Sequence, residues 1–372
     1  FCLLSLFCIN TITIAQEDKK DLIAQAITDY FHLERENIHV HFNKNIFLSD
    51  EKIWFKGYTY YRKGGIPFFA TTNIFATLMD DKGKEITTKL FCGSMGTFSG
   101  NLDLGESFST GKYYIRFYTN WMNNFTEDES AVYEITIINR SSGPGNVLAK
   151  PDPSIVNIEL TPEGGSLIKG ISNTIGISVH GCGNSLLPIT SAELVDVNGK
   201  VLQQIPINDK GYGRFDVPAD ATGYKIIATV NGTRHEQPLP VAQPTGIALD
   251  VNSYAMPDNT IIKLFTNEQT LAPLAGQPLY MVIHQDDKAA IYDINFEAGK
   301  TELAMAIPNN ELFNGVNTIR ILDRSLNQIA ERLFYKHYDK DTKIDLAKTG
   351  NSDNGIEYKG AASIGMNVSI AM

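Results

Sequence analysis

The sequence has few cysteines and no excess of positive charge. Its 372 residues include four cysteines, of which Cys2 and Cys8 lie in the uncharged first sixteen residues. The other two, Cys92 and Cys182, are too few for a disulfide framework, so we expect buried structural thiols. The formal net charge is −10 and no basic run is present, which argues against a nucleic-acid partner or an anionic-lipid surface.

Local signatures of catalysis are also lacking. The sequence contains no nucleophile elbow, no His-Glu-x-x-His motif, no P-loop and no paired carboxylates at a defined spacing. We therefore predict a protein that is not an enzyme, with no catalytic residues, no bound metal and no cofactor. After the first sixteen residues, no segment is long and apolar enough to cross a membrane as a helix.

The uncharged first sixteen residues are typical of a secretion signal. They end in Ile14-Ala15-Gln16, directly before the charged run 17–20, as at the boundary of an h-region and its cleavage site. We predict that residues 1–16 are a signal peptide whose basic n-region is missing from this sequence, and that the protein is exported.

A strand-and-turn pattern occurs three times along the chain. Each copy is a glycine followed by a run of β-branched and aromatic residues, at 111–118, 223–230 and 315–322. Turns of the Asp/Asn-x-Gly kind precede the first two copies, and they close hairpins because they tolerate positive φ. Apolar and polar residues alternate over most of the chain, which places one strand face on a core. This repetition predicts an all-β fold of tandem immunoglobulin-like β-sandwiches.

Composition divides the chain into segments. The helical spacing of apolar residues predicts a short lead-in helix within 17–36, which docks on the body of the protein or on a partner. Alternating strands predict three sandwiches, at 37–140, 154–242 and 245–336. A Gly- and Pro-rich linker is predicted at 141–153. We expect 337–372 to be a linker and the start of a truncated further domain, because its strand-like end, 362–370, is unable to fold alone.

The segment 41–58, with Asn43-Lys44 followed by an apolar run and an alternating strand, resembles the opening of a macroglobulin-type MG2 domain. Segments 96–100 and 111–114 are similar to later strands of that domain. When the start of the second module and the end of the third are also compared, the whole region 37–336 is similar to exported macroglobulin-like proteins of Bacteroidota. The resemblance implies macroglobulin-type sandwiches at the cell envelope, in the periplasm or associated with the outer membrane. In that family such domains often precede a TonB-dependent-receptor plug domain, and none is visible here.

The segment Gly181-Cys182-Gly183-Asn184 is similar to the start of the thioester motif Gly-Cys-Gly-Glu-Gln of alpha-macroglobulins. That chemistry needs a glutamine three residues after the cysteine to supply the acyl carbon, and Ser185 stands there. We interpret the segment as a turn with a buried or half-buried thiol. A macroglobulin-type endopeptidase inhibitor would then work without a thioester, through a cleaved loop such as 141–153.

Two further groups of polar residues draw attention. His39 and His41 stand at i and i+2 on a predicted strand and therefore share a face, where two imidazoles could hold a metal. No third ligand with suitable spacing is evident, so we predict solvent-facing histidines. The acidic run Glu127-Asp128-Glu129 is interpreted as a charged, solvated loop.

The first module is rich in aromatic residues. Exposed aromatics suit peptide or sugar recognition, and Trp54, Tyr58, Tyr60 and Trp121 form the candidate binding surface. The sequence favours a non-catalytic envelope scaffold or interaction protein, the N-terminal part of a larger protein. Its partners would be envelope proteins or a missing C-terminal domain. The alternatives are the protease inhibitor, with proteases as partners, and a carbohydrate- or peptide-binding module.

Overall fold

The computed structural model describes residues 18–144, 155–181, 186–274, 276–337, 344–352 and 355–362. It contains two compact units, one of residues 33–152 with 338–372, the other of residues 1–32 with 153–337. Within the described ranges, the helices are α1 (Lys19–Tyr30), α2 (Glu268–Leu274) and short 3₁₀ turns. No helix in these ranges is both long and apolar enough to span a membrane.

The first sandwich lies in the unit of residues 33–152. Its strands are β1 (Glu36–Phe42), β2 (Ile46–Leu48), β3 (Lys52–Tyr61), β4 (Asn73–Met79), β5 (Glu85–Cys92), β6 (Thr97–Asp103), β7 (Gly111–Tyr118) and β8 (Ala131–Ile138). One sheet has the order β1-β3-β6 and the other β2-β8-β7-β4-β5. Only the short β2 pairs in parallel, with β8. The alternating apolar residues of both sheets meet in one core, as two-residue periodicity predicts.

Aromatic rings fill this core and explain a glycine in the middle of a strand. Phe55 and Phe117 pack edge to face with their ring centroids 5.0 Å apart. The ring of Phe98 lies across Gly57, its cross-strand partner, so that a Cβ there would stand 2.0 Å from Phe98 Cζ. The strand therefore requires glycine at this position because another residue's ring occupies the space.

The second and third sandwiches lie in the other unit. The strands of the second are β9 (Asn157–Pro162), β10 (Asn173–His180), β11 (Ile189–Val195), β12 (Val201–Gln204), β13 (Tyr212–Val217), β14 (Lys225–Val230) and β15 (Thr233–Pro238). Those of the third are β16 (Ile247–Asn252), β17 (Asn259–Thr266), β18 (Leu279–Gln285), β19 (Lys288–Ile294), β20 (Glu302–Pro308), β21 (Gly315–Leu322) and β22 (Gln328–Lys336). Each sandwich encloses its own apolar core.

The three sandwiches repeat one topology. Their smaller sheets are ordered β1-β3-β6, β9-β10-β13 and β16-β17-β20, and the larger sheets of the last two are β12-β11-β14-β15 and β19-β18-β21-β22. The three glycine-led runs seen in the sequence are the equivalent strands β7, β14 and β21, each between two neighbours. The prediction of an all-β chain of tandem immunoglobulin-like sandwiches with a short N-terminal helix is therefore confirmed.

An aspartate-capped turn recurs between strands. Asp80 and Asp196 each accept backbone N–H bonds from the residues two and four positions later, and a glycine with positive φ follows. Asp323 makes the same bonds before β22, but the left-handed position there is Leu326, with φ 66°. Leu326 packs against the apolar cluster beneath α1, so its backbone strain is offset by burial.

Helix α1 docks on the larger sheet of the third sandwich. Asp18 caps it by accepting a bond from Lys20 N, and Lys20 forms an ion pair with Asp293 on β19. The buried Ile23 packs against Tyr280 and Val282 of β18. The helix occupies only part of the predicted segment 17–36, because it ends at Tyr30, where the backbone N–H of the capping residue Phe31 donates to the carbonyl of Ile27.

A charged cluster joins the second and third sandwiches. Glu163, at the end of β9, forms ion pairs with Arg214 of β13 and Arg332 of β22, and Arg214 also pairs with Asp250 of β16 at 2.7 Å. Glu163 and Arg332 are largely buried, and burial lowers the pKa of Arg332 to about 10. Next to them, Gly164 has φ 91° and packs against the backbone of β16.

A two-stranded hairpin, β23 (Ile344–Ser352) with β24 (Gly355–Ala362), follows the third sandwich in sequence. The predicted linker and start of a further domain at 337–372 therefore contain paired strands from Ile344 onward. The short alternations that begin at Ile344 and Ile356 suffice to pair as strands. The predicted strand 362–370 lies, apart from Ala362, outside the described residues.

Candidate functional site

Three of the four predicted binding residues share one face of the first sandwich. Trp54, Tyr58 and Tyr60 occupy outward positions of β3, while Phe55, Gly57 and Thr59 are buried. Cross-strand pairing places Tyr58 opposite His39. Trp54 is 53% exposed, and the two tyrosines are half-buried. We call the outward residues of β1, β3 and β6 the aromatic face.

Trp121 lies apart from the aromatic face. It begins a 3₁₀ turn after β7, and its indole Nε1 donates to the carbonyl of Glu34 at 2.8 Å. Glu34 precedes β1, whereas Trp54 accepts a bond from Asn43, beyond the far end of β1. The seven residues of β1 span about 20 Å. The structure therefore places three of the predicted residues on one face of β3 and the fourth in the loops at the Tyr60 end of that strand.

Trp121 belongs to a group of loops at one end of the first sandwich, where β1 begins. The loops are 62–72, 93–96 and 119–130, and we call this group the loop end. The buried carboxylate of Glu36 joins two of them, because one oxygen accepts the hydroxyl of Thr71 and the other that of Thr119. Burial raises the pKa of Glu36, and the bond from Thr119 opposes that rise.

Ion pairs fix the same loops to one another. Glu129 accepts from Arg35 at 2.8 Å and from Arg62 at 2.7 Å, and Arg35 also pairs with Glu127. The Arg35 guanidinium lies 4.4 Å from the centre of the Phe125 ring. The interpretation of 127–129 as a solvated loop is wrong for Glu129, whose side chain is only 8% exposed, because two arginines from distant segments fold over it.

The rigid loop end carries large apolar side chains that face solvent. Ile66, Phe69 and Met95 are 61%, 59% and 68% exposed. Their loops are in contact: Thr59 N donates to the carbonyl of Gly96, and a Cβ on Gly96 would stand 2.7 Å from Pro67 Cβ. Trp121 is 41% exposed on the third loop, so all three loops present apolar side chains to solvent, and the ion pairs and the Glu36 carboxylate tie loops 62–72 and 119–130 together.

Met95 stands in a conformation that methionine disfavours. The connection from β5 to β6, which passes from one sheet to the other, turns through Met95 and Gly96, with φ 52° and 73°, as a type I′ turn requires. Another two-residue turn, between β14 and β15, uses Asn231 and Gly232. Ile66, Phe69 and Met95 are absent from the surface predicted from sequence, which is limited to tryptophan and tyrosine residues. A Met-Gly pair between two strands, where Asn-Gly is usual, was an available signal.

The other sequence candidates contribute little to these surfaces. Cys92 is exposed, contrary to the predicted buried thiol, because Phe91 takes the inward position at that end of β5. Cys182 and its thioester-like segment lie outside the described residues. The rings of His39 and His41 are adjacent at 4.8 Å and meet edge to face. No group of three metal-ligating side chains occurs among the residues that the structure describes.

Comparisons with known proteins complete the description of the site. No protein-family model matches the sequence, and no curated protein matches it. Among solved structures, it is similar to Escherichia coli alpha-2-macroglobulin activated by porcine elastase, at 12% identity and a TM-score of 0.31, over 88% of this chain and 33% of that one. Dimeric latent PorU from Porphyromonas gingivalis gives 12% identity and a TM-score of 0.32, over 81% and 34% of the two chains.

A third similar structure is the Escherichia coli adhesin FdeC, at 12% identity and a TM-score of 0.20, covering 81% of this chain and 96% of that one. This chain spans about a third of the macroglobulin chain.

Proposed function

We propose that this chain is a non-catalytic scaffold and interaction protein of the cell envelope, built from macroglobulin-like sandwiches. The loop end of the first sandwich is its contact surface for a protein partner. In this proposal the sandwiches position that surface, and the chain performs no reaction of its own.

The observation that carries the proposal is the exposed apolar surface of the loop end, held on an ordered network. Ile66, Phe69, Met95 and Trp121 supply the aromatic, aliphatic and thioether groups that are common at the centres of protein interfaces. The ion pairs of Glu129 fix the loops before any partner binds, which reduces the entropy lost on association.

Met95 adds a second argument for contact. A non-glycine residue in left-handed backbone costs roughly 1 kcal/mol, and an exposed methionine recovers little of that through burial. Strain of this kind clusters at functional sites. An apolar side chain held outward at a hairpin tip is useful to a binding surface and has no evident use to the free protein.

Site-specific photocrosslinking tests the proposal in the whole chain. A photoreactive phenylalanine analogue would replace Phe69 or Met95 in one variant each, and Val241 in the control, because Val241 is 86% exposed and lies in the second sandwich. We expect one discrete product with the same envelope protein from both loop-end positions. No such product should form from position 241.

The opposite pattern would reject the loop end as an interface. It would consist of no discrete product from either loop-end position, or of the same products from all three positions. Thermal unfolding of each variant before irradiation shows that the reagent sits on folded protein.

The envelope location is part of the proposal and is tested separately. It is supported by the uncharged first sixteen residues. Fractionation of a Gram-negative host that expresses the full reading frame should place the protein outside the cytoplasm. Recovery from the cytoplasm alone would contradict this. Protease inhibition remains a prediction from sequence, because Cys182 and most of 141–153 lie outside the described residues.

A further inference from the structure

The aromatic face differs in charge from the rest of the chain. Its outward positions on β1, β3 and β6 carry one carboxylate, Asp103, which is neutralised by Lys52 at 2.9 Å and Lys89 at 3.8 Å. Lys56 stands in the middle of the face and has no carboxylate partner among the described residues. In a protein with a net charge of −10, this is a locally cationic surface.

Aromatic rings and hydrogen-bonding groups alternate on this face. The aromatic rings lie along β3, and the neighbouring strands present Asn101 opposite Trp54 and Thr97 opposite Tyr58. On the other side, His39 stands opposite Tyr58 and His41 opposite Lys56. The Lys56 ammonium lies 5.6 Å from the centre of the Tyr58 ring, so the positive charge and the ring are available to one ligand.

We propose that the aromatic face binds an acidic polysaccharide, along the direction of β3. The apolar C–H faces of sugar rings would pack on Trp54, Tyr58 and Tyr60. The carboxylate or sulfate groups of the chain would meet Lys56 and the two imidazoles. This site is separate from the loop end and does not depend on the function proposed there.

The dimensions of the face favour a chain of sugars over a single one. From Trp54 to Tyr60, β3 advances about 20 Å, with the half-buried ring of Tyr58 between those ends. Rings spread over this length cannot all contact a single sugar, so binding is the sum of several weak contacts along a polymer. Each ring offers an apolar body with a polar tip, which suits a ligand that is both ring-shaped and hydroxylated.

Charge selects the acidic class among polysaccharides. A neutral polymer would use the rings and leave Lys56 without a partner. An extended acidic peptide would pair with Lys56 but gain little from broad flat rings. The locally cationic face also attracts a polyanion that the rest of this acidic protein repels.

Affinity electrophoresis of the full chain tests the proposal at low salt and pH 7. The probes are polygalacturonate, alginate, hyaluronate and chondroitin sulfate, with methyl-esterified polygalacturonate as a matched uncharged polymer. We expect retardation by at least one acidic polymer. If polygalacturonate is the polymer that binds, its methyl ester should retard the protein about tenfold less than polygalacturonate does. Polyacrylate, a polyanion without sugar rings, should compete poorly.

Variants locate the site. Trp54→Ala should weaken retardation about tenfold, and Lys56→Gln should weaken it several-fold while flattening its salt dependence. Two control variants lie in the third sandwich. Tyr254→Ala removes an exposed aromatic ring, and Lys263→Gln removes a lysine on β17, the strand equivalent to β3. Neither should change the retardation. The melting temperature of each variant confirms that it is folded.

Three results would overturn the proposal. One is the absence of retardation by every acidic polymer. Another is competition by polyacrylate as strong as that by the polysaccharide, which would indicate ion exchange alone. The third is a folded Trp54→Ala variant that binds as the parent does.

Discussion

Left-handed backbone positions are filled by different residue types in two two-residue turns of this protein. Asn231 and Gly232 turn β14 into β15, whereas Met95 and Gly96 turn β5 into β6. Asparagine tolerates positive φ because its side chain bonds locally, and methionine has no such compensation. Asn231 is therefore the residue type that stabilises such a turn, whereas Met95 lowers stability and presents an apolar side chain to solvent.

Replacing Met95 should raise the stability of the free protein and weaken its binding to the protein partner proposed for the loop end. Met95→Asn is expected to increase the free energy of unfolding by about 1 kcal/mol, because asparagine adopts the turn with less strain. The reciprocal change Asn231→Met should lower it by a similar amount. Urea unfolding of the full chain measures both. A Met95→Asn protein less stable than the parent would show that the methionine side chain stabilises the free protein.

Glu36 should make stability depend on pH in the sense opposite to most carboxylates. Its pKa is raised by burial, so the folded state holds its proton at a pH where the unfolded state has lost it. The unfavourable contribution of Glu36 is therefore present at pH 7 and fades as pH falls through the raised pKa towards 4.5.

The comparison variant for this effect is Glu36→Gln, which keeps an acceptor and cannot ionise. Unfolding free energies at pH 7 and pH 5 should show the parent gaining stability relative to the variant at the lower pH. An unchanged difference between the two proteins at both pH values would mean that Glu36 does not titrate in this range.

At the scale of elements, helix α1 packs on a small apolar cluster of the third sandwich, and its C-terminal end lies against a buried histidine. His284, on β18, is 6% exposed, and Phe31 at the end of α1 lies 6.3 Å from it, ring to ring. Burial, with a smaller effect from Arg320, lowers the pKa of His284 against weaker opposite effects of Glu331 and Asp286. The helix is therefore docked over a neutral imidazole.

Acidification should loosen α1. Because the pKa of His284 is lowered in the folded state, stability is lost as pH falls below its ordinary value of 6.5, by up to about 1.4 kcal/mol per pH unit. Hydrogen-exchange protection factors for Lys19–Tyr30 should fall between pH 7 and pH 5. The variant His284→Leu should hold its protection over the same range. Equal losses in both proteins would assign the effect to other groups.

On the scale of the whole chain, the second and third sandwiches share an ionic junction. The partly buried cluster of Glu163 with Arg214 and Arg332 joins strands of both. A charge removed from a buried pair leaves its partner without compensation, which is costlier than loss of an exposed pair. The junction therefore couples the unfolding of the two sandwiches.

Breaking this junction should uncouple the unfolding of the second sandwich from that of the third. Glu163→Gln is expected to destabilise the unit by about 3 kcal/mol and to split its thermal transition. Lys225→Gln, which removes the exposed pair with Glu236, should cost no more than about 0.5 kcal/mol. Differential scanning calorimetry of the full chain distinguishes them. A single transition with equal shifts in both variants would show that the junction stabilises the unit no more than an exposed ion pair does.

Local patterns in the sequence determined the all-β fold, the helix before it and the positions of the main hairpins. Alternation and turn residues act over a few neighbouring residues, so Gly111–Tyr118 and its two counterparts could be recognised as strands without a structure. The same periodicity placed Trp54, Tyr58 and Tyr60 on one side of β3.

Only the tertiary structure decided which distant residues meet. Glu36 binds Thr71 and Thr119, and Glu129 binds Arg35 and Arg62, across separations that no local pattern encodes. Those contacts place Trp121 in the loop end, off the strand that carries Trp54, Tyr58 and Tyr60, and fix the loops that expose Ile66, Phe69 and Met95. Strand identity follows from the chemistry of neighbouring residues, whereas the loop end exists because packing of the sheets brings their connections to one edge.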